Sequence, residues 1–180
     1  MTKIAFQFPG QGSQAVGMGE AFHSASASVR ALYGEASDVL GFDLARLCFE
    51  GPETDLQLTA NTQPAILTAS VAAASMLAER GITASVAGGH SLGEYSALVL
   101  AGALSFPDAV RLVRRRGQFM QEAVPVGLGG MAALLGLDLA PAEEICREAS
   151  RRVEGSAEEV SVANINSAVQ IVVAGHRPAV

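Results

Sequence analysis

The chain has 180 residues, 49% hydrophobic and 17% charged, so it has ample apolar surface for one domain with a core and too much for a disordered segment. Its net charge of −6 gives no footing for nucleic acid or an anionic membrane surface. The apolar runs stop well short of the roughly 20 residues of a membrane span, and the N-terminal run is broken at Pro9 and Gly10, so the sequence reads as a soluble, cytoplasmic protein with no signal peptide.

In chain order, Lys3–Phe8 is a short run of β-formers ending at Pro-Gly, which predicts a strand feeding a loop. Residues 18–48 carry apolar groups at helical spacing, with breaks expected at Gly34 and Gly41. Thr62 and Pro64 are expected to open a second helix reaching Leu77, with Gly81 at its C-terminal cap. Ser85–Gly88 reads as a buried strand, and residues 94–101 return to helix. Ser105, Pro107 and Asp108 carry the cap, proline and acid of a helix start, and that helix is expected to reach Val124.

Beyond the glycine-rich joint Pro125–Gly130 the spacing predicts a strand (Met131–Leu137), a helix (Pro141–Arg152) and two strands (Val160–Asn164 and Val169–Ala174). This β-α-β-β order fits the opening of a ferredoxin-like unit whose next helix would start near Arg177. Since the sequence stops at Val180, that unit reads as unfinished. The domain expectation is therefore 1–126 and 127–180. Cys48 and Cys146 have no metal or redox spacing and read as buried thiols in a reducing compartment.

The chemistry concentrates at Gly89-His90-Ser91-Leu92-Gly93. Gly-x-Ser-x-Gly between a strand and a helix is a nucleophile elbow, a turn tight enough to hold Ser91 in strained backbone with its hydroxyl outward. Glycine is needed at 89 and 93 because a side chain there would strike the neighbouring strand or helix. The Leu92 N–H is left free at a helix N-terminus, where an oxyanion would form. A serine held this way carries an acyl group as an ester, for transfer or hydrolysis.

On a helical wheel Ala109, Val113, Met120 and Val124 share an apolar face, and Arg116 falls inside it, about 20° from Ala109. A guanidinium there needs an anion. That anion is either a substrate carboxylate held bidentately or an internal Asp or Glu, unless the helix end frays and releases the arginine. The Gly-x-Gly-x-x-Ala run after the first strand matches a relaxed dinucleotide fingerprint, but no acid-ended strand follows it. A loop that supplies a backbone N–H to an oxyanion hole suits these residues better. Of the three histidines, His90 reads as a pocket border, His23 as solvated and His176 as a loop or cap residue. None reads as a general base.

Several separated motifs together resemble malonyl-CoA:acyl carrier protein transacylases: PGQGSQ, TQPAILTAS, GHSLGEYSAL, RGQFMQEAVP, GGMAALLGL, NINS and VQIVVAGH. The resemblance implies an α/β fold, with an α/β-hydrolase-like large subdomain and an inserted ferredoxin-like small one, both incomplete here. It implies Ser91 as nucleophile, the backbone N–H groups of Gln11 and Leu92 as oxyanion hole, Arg116 on the malonyl carboxylate and His90 at the pocket border. Asn164 and Asn166 would lie near the cleft between subdomains. The implied partners are malonyl-CoA and acyl carrier protein, with no resident cofactor or metal, in a protein expected to act as a monomer when full length. The family's catalytic histidine lies after the small subdomain, so the chain is expected to be a fragment that ends before it.

Two rival readings share these residues: a serine thioesterase or esterase, and an inactive fragment that only binds acyl carrier protein. Arg111, Arg114 and Arg115 form a basic helix face that either docks an acidic carrier or is merely solvated.

Overall fold

Strand β1 (Ala5–Phe8) lies parallel to β2 (Val86–Gly89), with Phe8 opposite Gly89, in a computed structural model that describes residues 3–125, 127–152 and 158–180. Parallel partners end on the same side, so the loop after β1 and the turn after β2 leave the sheet together. Five helices occupy the connection between them: α1 (Glu20–Ala25), α2 (Ala27–Leu40), α3 (Leu44–Glu50), α4 (Glu53–Leu56) and α5 (Thr59–Ala78). Helices α6 (Gly93–Leu100) and α7 (Phe106–Ala123) follow. Their shared core includes Val29, Tyr33, Leu44, Leu56, Leu67, Leu92, Val110 and Val113, all essentially without exposed surface.

Three local expectations need correction, each for a physical reason. Gly34 does not break the helix but continues α2 between the buried Tyr33 and Ala36. One mid-helix glycine costs about 1 kcal/mol, less than the burial of that face returns. The break falls at Ser26, whose extended backbone and Oγ, accepting from the Val29 N–H at 3.4 Å, start a new helix.

Helix α5 begins at Thr59 rather than at Thr62, which leaves Pro64 inside it. The turn before the proline is already held, because the Thr62 N–H donates to Leu58 O and its hydroxyl to Leu56 O at 2.5 Å. On α7 the buried face runs through Phe106, Ala109, Val110, Val113 and Gly117, whereas Met120 and Val124 are exposed. The buried stripe thus ends at Gly117, and Val124 lies just beyond the helix.

The chain divides into two compact units, Met1–Glu122 and Ala123–Val180, against a boundary expected at 126; Val126 itself lies outside the described residues. The second unit holds β3 (Gly129–Leu135), α8 (Leu139–Arg152), β4 (Val160–Ser167) and β5 (Gln170–His176). Its strands form an antiparallel sheet in the order β3-β5-β4. Strand β3 starts two residues before the expected position because Gly129 and Gly130 pair with His176 and Gly175. One sheet face packs on α8 around Cys146, Val160 and Val173.

Both cysteines are free and buried, and burial pushes the Cys48 thiol up to about 12. Among the described residues no helix is long and apolar enough to cross a membrane.

Candidate active site

The turn after β2 is made by backbone constraints that the sequence states locally. Ser91 has φ +52°, the one non-glycine residue with positive φ among the described residues. A Cβ on Gly89 would fall on the backbone of Gly93, and one on Gly93 would run into the Phe8 carbonyl. The two glycines therefore let strand, turn and helix occupy nearly the same space, and the left-handed residue between them is what reverses the chain. Leu92 is fully buried beneath the turn and anchors it in the core.

The β1 loop is drawn against this turn. The His90 N–H donates to Phe8 O at 3.2 Å, and a Cβ on Gly10 would stand 2.8 Å from both His90 Nδ1 and His90 O. Gln11 follows Gly10 and its side-chain amide donates to Thr59 Oγ1 at 3.1 Å, tying the loop to the first turn of α5. Among the described residues the backbone N–H groups of Gln11 and Leu92 have no acceptor. His90 is exposed beside this loop.

Arg116 reaches the turn from α7. Its Nη2 donates to Ser91 Oγ at 2.9 Å and its Nη1 to Gln63 Oε1 at 2.9 Å, while its Cζ stands 5.9 Å from the centre of the Tyr95 ring. The side chain is half-buried, and among the described residues it has no acidic partner. Among the described residues, the internal salt bridge left open by the sequence is therefore not formed by this arginine.

The other arginines of α7 divide differently from the expectation of one basic face. Arg114 is half-buried, donates to Asn61 Oδ1 and lies over the Phe42 ring, and burial holds its guanidinium below the ordinary arginine range. Arg111 pairs with Asp108 at 2.9 Å, and Arg115 lies over Phe119. Of the three, Arg111 and Arg115 are the exposed ones, and Arg111 is offset by its acid.

Asn164 and Asn166 lie on β4 in the second unit. Asn164 is in register with Val172, and Asn166 Nδ2 donates to Gln170 Oε1 at 3.0 Å. Among the described residues no group of three His, Cys, Asp or Glu side chains is placed to hold a metal ion.

Two residues at this site escape a reading of the sequence residue by residue. Gln63 is fully buried on α5, where an amide among Ala60, Pro64, Ile66 and Leu67 signals a required polar partner. Tyr95 follows Ser91 by four residues, one helical turn onto α6, so spacing alone could have pointed to it.

A serine on a strained turn, free N–H groups beside it and a cation on its hydroxyl suit a serine ester with a developing oxyanion. The sequence matches the family model for an acyl transferase domain over residues 5–180. The chain belongs to the acyl transferase domain family.

Within that family it is 50% identical over 175 residues to the malonyl CoA-acyl carrier protein transacylase of Bacillus subtilis, covering 97% of this chain and 54% of that protein. It is 52% identical to the protein of the same name from Escherichia coli K12, covering 100% of this chain and 57% of the other. The structure of malonyl CoA-acyl carrier protein transacylase from Coxiella burnetii superposes with TM-score 0.89 at 47% identity, covering 98% of this chain and 55% of that one. A malonyl-transacylase in complex with its type II PKS acyl-carrier protein matches with TM-score 0.89 at 46% identity, covering 99% of this chain and 56% of that one. The acyl transferase domain described here thus spans a little over half the length of the relatives it matches.

Proposed function

We propose that the chain carries the acyl-loading site of a malonyl-CoA:acyl carrier protein transacylase of fatty acid or polyketide synthesis. Ser91 Oγ attacks the thioester carbonyl of malonyl-CoA and the C–S bond breaks. The malonyl group is left as an ester on Ser91, and the serine proton ends on the CoA sulfur. In the second half-reaction the phosphopantetheine thiol of acyl carrier protein attacks that ester, and its proton returns to Ser91. The backbone N–H groups of Gln11 and Leu92 stabilise the oxyanion in both steps.

The observation that carries this reading is the Arg116–Ser91 contact of 2.9 Å, made by a guanidinium without an acidic partner among the described residues. A malonyl group on Ser91 places its free carboxylate a few bonds from the ester, within reach of that cation. An acetyl group has nothing to offer it.

In the same reading His90 borders the pocket, the first unit is α/β-hydrolase-like, and the second, which carries Asn164 and Asn166 on β4, is ferredoxin-like. The parallel pair with its elbow and the β3-β5-β4 order support this description. The protein acts in the cytoplasm as a monomer, with no resident cofactor.

Incubation with malonyl-CoA, followed by intact mass and peptide mapping, tests the reading. The expected result is one malonyl group on Ser91, lost in Ser91→Ala. A protein that hydrolyses the thioester without transfer to the carrier thiol would be the esterase. No adduct, together with binding to acyl carrier protein, would leave a carrier-binding fragment.

A further inference from the structure

Gln63 has no exposed surface, and both ends of its amide are occupied. The carbonyl accepts from Arg116 Nη1 at 2.9 Å, and the nitrogen donates to Met120 Sδ at 3.1 Å. The reversed amide would turn its N–H groups toward a cation, so these contacts fix which end meets the arginine.

The helix crossing that allows them is set one residue away. A Cβ on Gly117 would stand 2.7 Å from Ala60 Cα and from Thr59 O, so α7 lies directly on the first turn of α5. Ala60 and Gln63 are one helical turn apart, and Arg116 and Gly117 are adjacent, so the glycine contact and the amide contact belong to one crossing.

The chemical type of this anchor is informative. A guanidinium taken partly out of water is ordinarily paired with a carboxylate. Here it is held by an amide, a hydroxyl and an aromatic ring, none of them charged. A carboxylate at position 63 would orient Arg116 equally well but would neutralise it beside Ser91. An amide orients it and leaves the positive charge whole.

We infer that Gln63 is a positioning and specificity-determining residue, a neutral anchor that keeps Arg116 at Ser91 with its charge free for the terminal carboxylate of the incoming acyl group. This rests on the reading of Ser91 and Arg116 proposed above. The anchor selects against acyl groups that lack such a carboxylate, because they leave a half-buried cation without a counter-charge.

The test is calorimetric binding of malonyl-CoA and acetyl-CoA to the wild type and to the Arg116→Ala, Gln63→Glu and Gln63→Met variants. Each protein in this comparison also carries Ser91→Ala, so binding is read without acylation; the two ligands differ only by the carboxylate, and the ratio of their Kd values isolates it. The wild type is expected to favour malonyl-CoA on the order of tenfold to a hundredfold, the range of a charge-assisted hydrogen bond. Gln63→Glu keeps the side-chain size and an acceptor for Arg116, and should bring the ratio to within about threefold of unity with acetyl-CoA affinity little changed.

Gln63→Met fills the same space without an acceptor or a charge, and should lower the ratio by a smaller factor. If Arg116→Ala abolishes the preference while Gln63→Glu keeps it, the neutral anchor is overturned and the carboxylate reading stands. If Gln63→Glu does not fold, an unchanged ratio in Gln63→Met overturns the anchor instead. If Arg116→Ala itself keeps the preference, or the wild type has none, both fall.

Discussion

At Ser91 the backbone makes the site. Gly89, Gly93 and a left-handed serine leave one conformation for the turn, and the side chains around it only fill in. At Arg116, 25 residues on, the side chains make the site instead: Gln63 comes from α5, Tyr95 from α6, and the arginine itself from α7. The two regions meet at one hydroxyl and respond to different perturbations. A backbone-built turn is broken by any added atom. A seam built from side chains can lose its selectivity while the fold survives.

The largest effect is expected in the turn. Gly93→Ala places a methyl against the Phe8 carbonyl, a backbone atom that no rotamer change can move aside. It should cost at least about 4 kcal/mol, seen as loss of the cooperative thermal transition by circular dichroism. A Gly93→Ala protein that melts like the wild type would show that the turn has room the structure does not contain.

This asymmetry also explains what could be read in advance. The turn is a five-residue statement, so glycines at 89 and 93 and strain at Ser91 follow from local sterics alone. The strands of the second unit were equally legible in type and order, because alternating patterns identify them, and only their ends shifted by a few residues. The seam was legible by half. The wheel places Arg116 inside the apolar stripe, and it is half-buried there, but the same wheel includes Met120 and Val124, and both are exposed.

Arg114 is grouped by sequence with Arg111 and Arg115 on one basic face because a wheel contains only its own helix. Asn61 and Phe42, which half-bury it, lie more than fifty residues earlier in the sequence. Gln63 was missed for the same reason. Its partner Arg116 is 53 residues away, and only the close approach of α7 to α5 at Gly117 brings the two together.

A second perturbation acts on the seam through that approach. Gly117→Ala sets a methyl 2.7 Å from Ala60 Cα and Thr59 O, and the helices must separate to admit it. Overpacking of this kind costs about 1–3 kcal/mol, measured as a lower denaturant midpoint with an unchanged slope. Because the shift falls beside Arg116, malonyl loading should drop more than stability alone explains. Equal losses for malonyl and acetyl loading would instead make Gly117 a packing residue only.

A smaller effect, of opposite sign, sharpens the contrast. Ser91 holds φ +52° without being glycine, so Ser91→Gly relieves the strain and should stabilise the fold by about 1 kcal/mol while abolishing loading. Destabilisation by this substitution would mean that the hydrogen bond to Arg116 outweighs the strain. The smallest effect belongs to the exposed arginines. Arg115→Ala removes a solvent-exposed group and should change stability by less than about 0.5 kcal/mol, with selectivity intact.

The most direct measurement is the ratio of malonyl to acetyl loading on Ser91, followed by intact mass spectrometry in the wild type and in Arg116→Ala. The expected result is a malonyl ester on the wild type in clear preference to acetyl, and a preference that is lost or inverted in Arg116→Ala, with the thermal transition retained. A preference that survives Arg116→Ala, or equal loading of both groups on the wild type, would contradict the assignment of the Arg116 guanidinium at Ser91 as the group that selects the acyl chain.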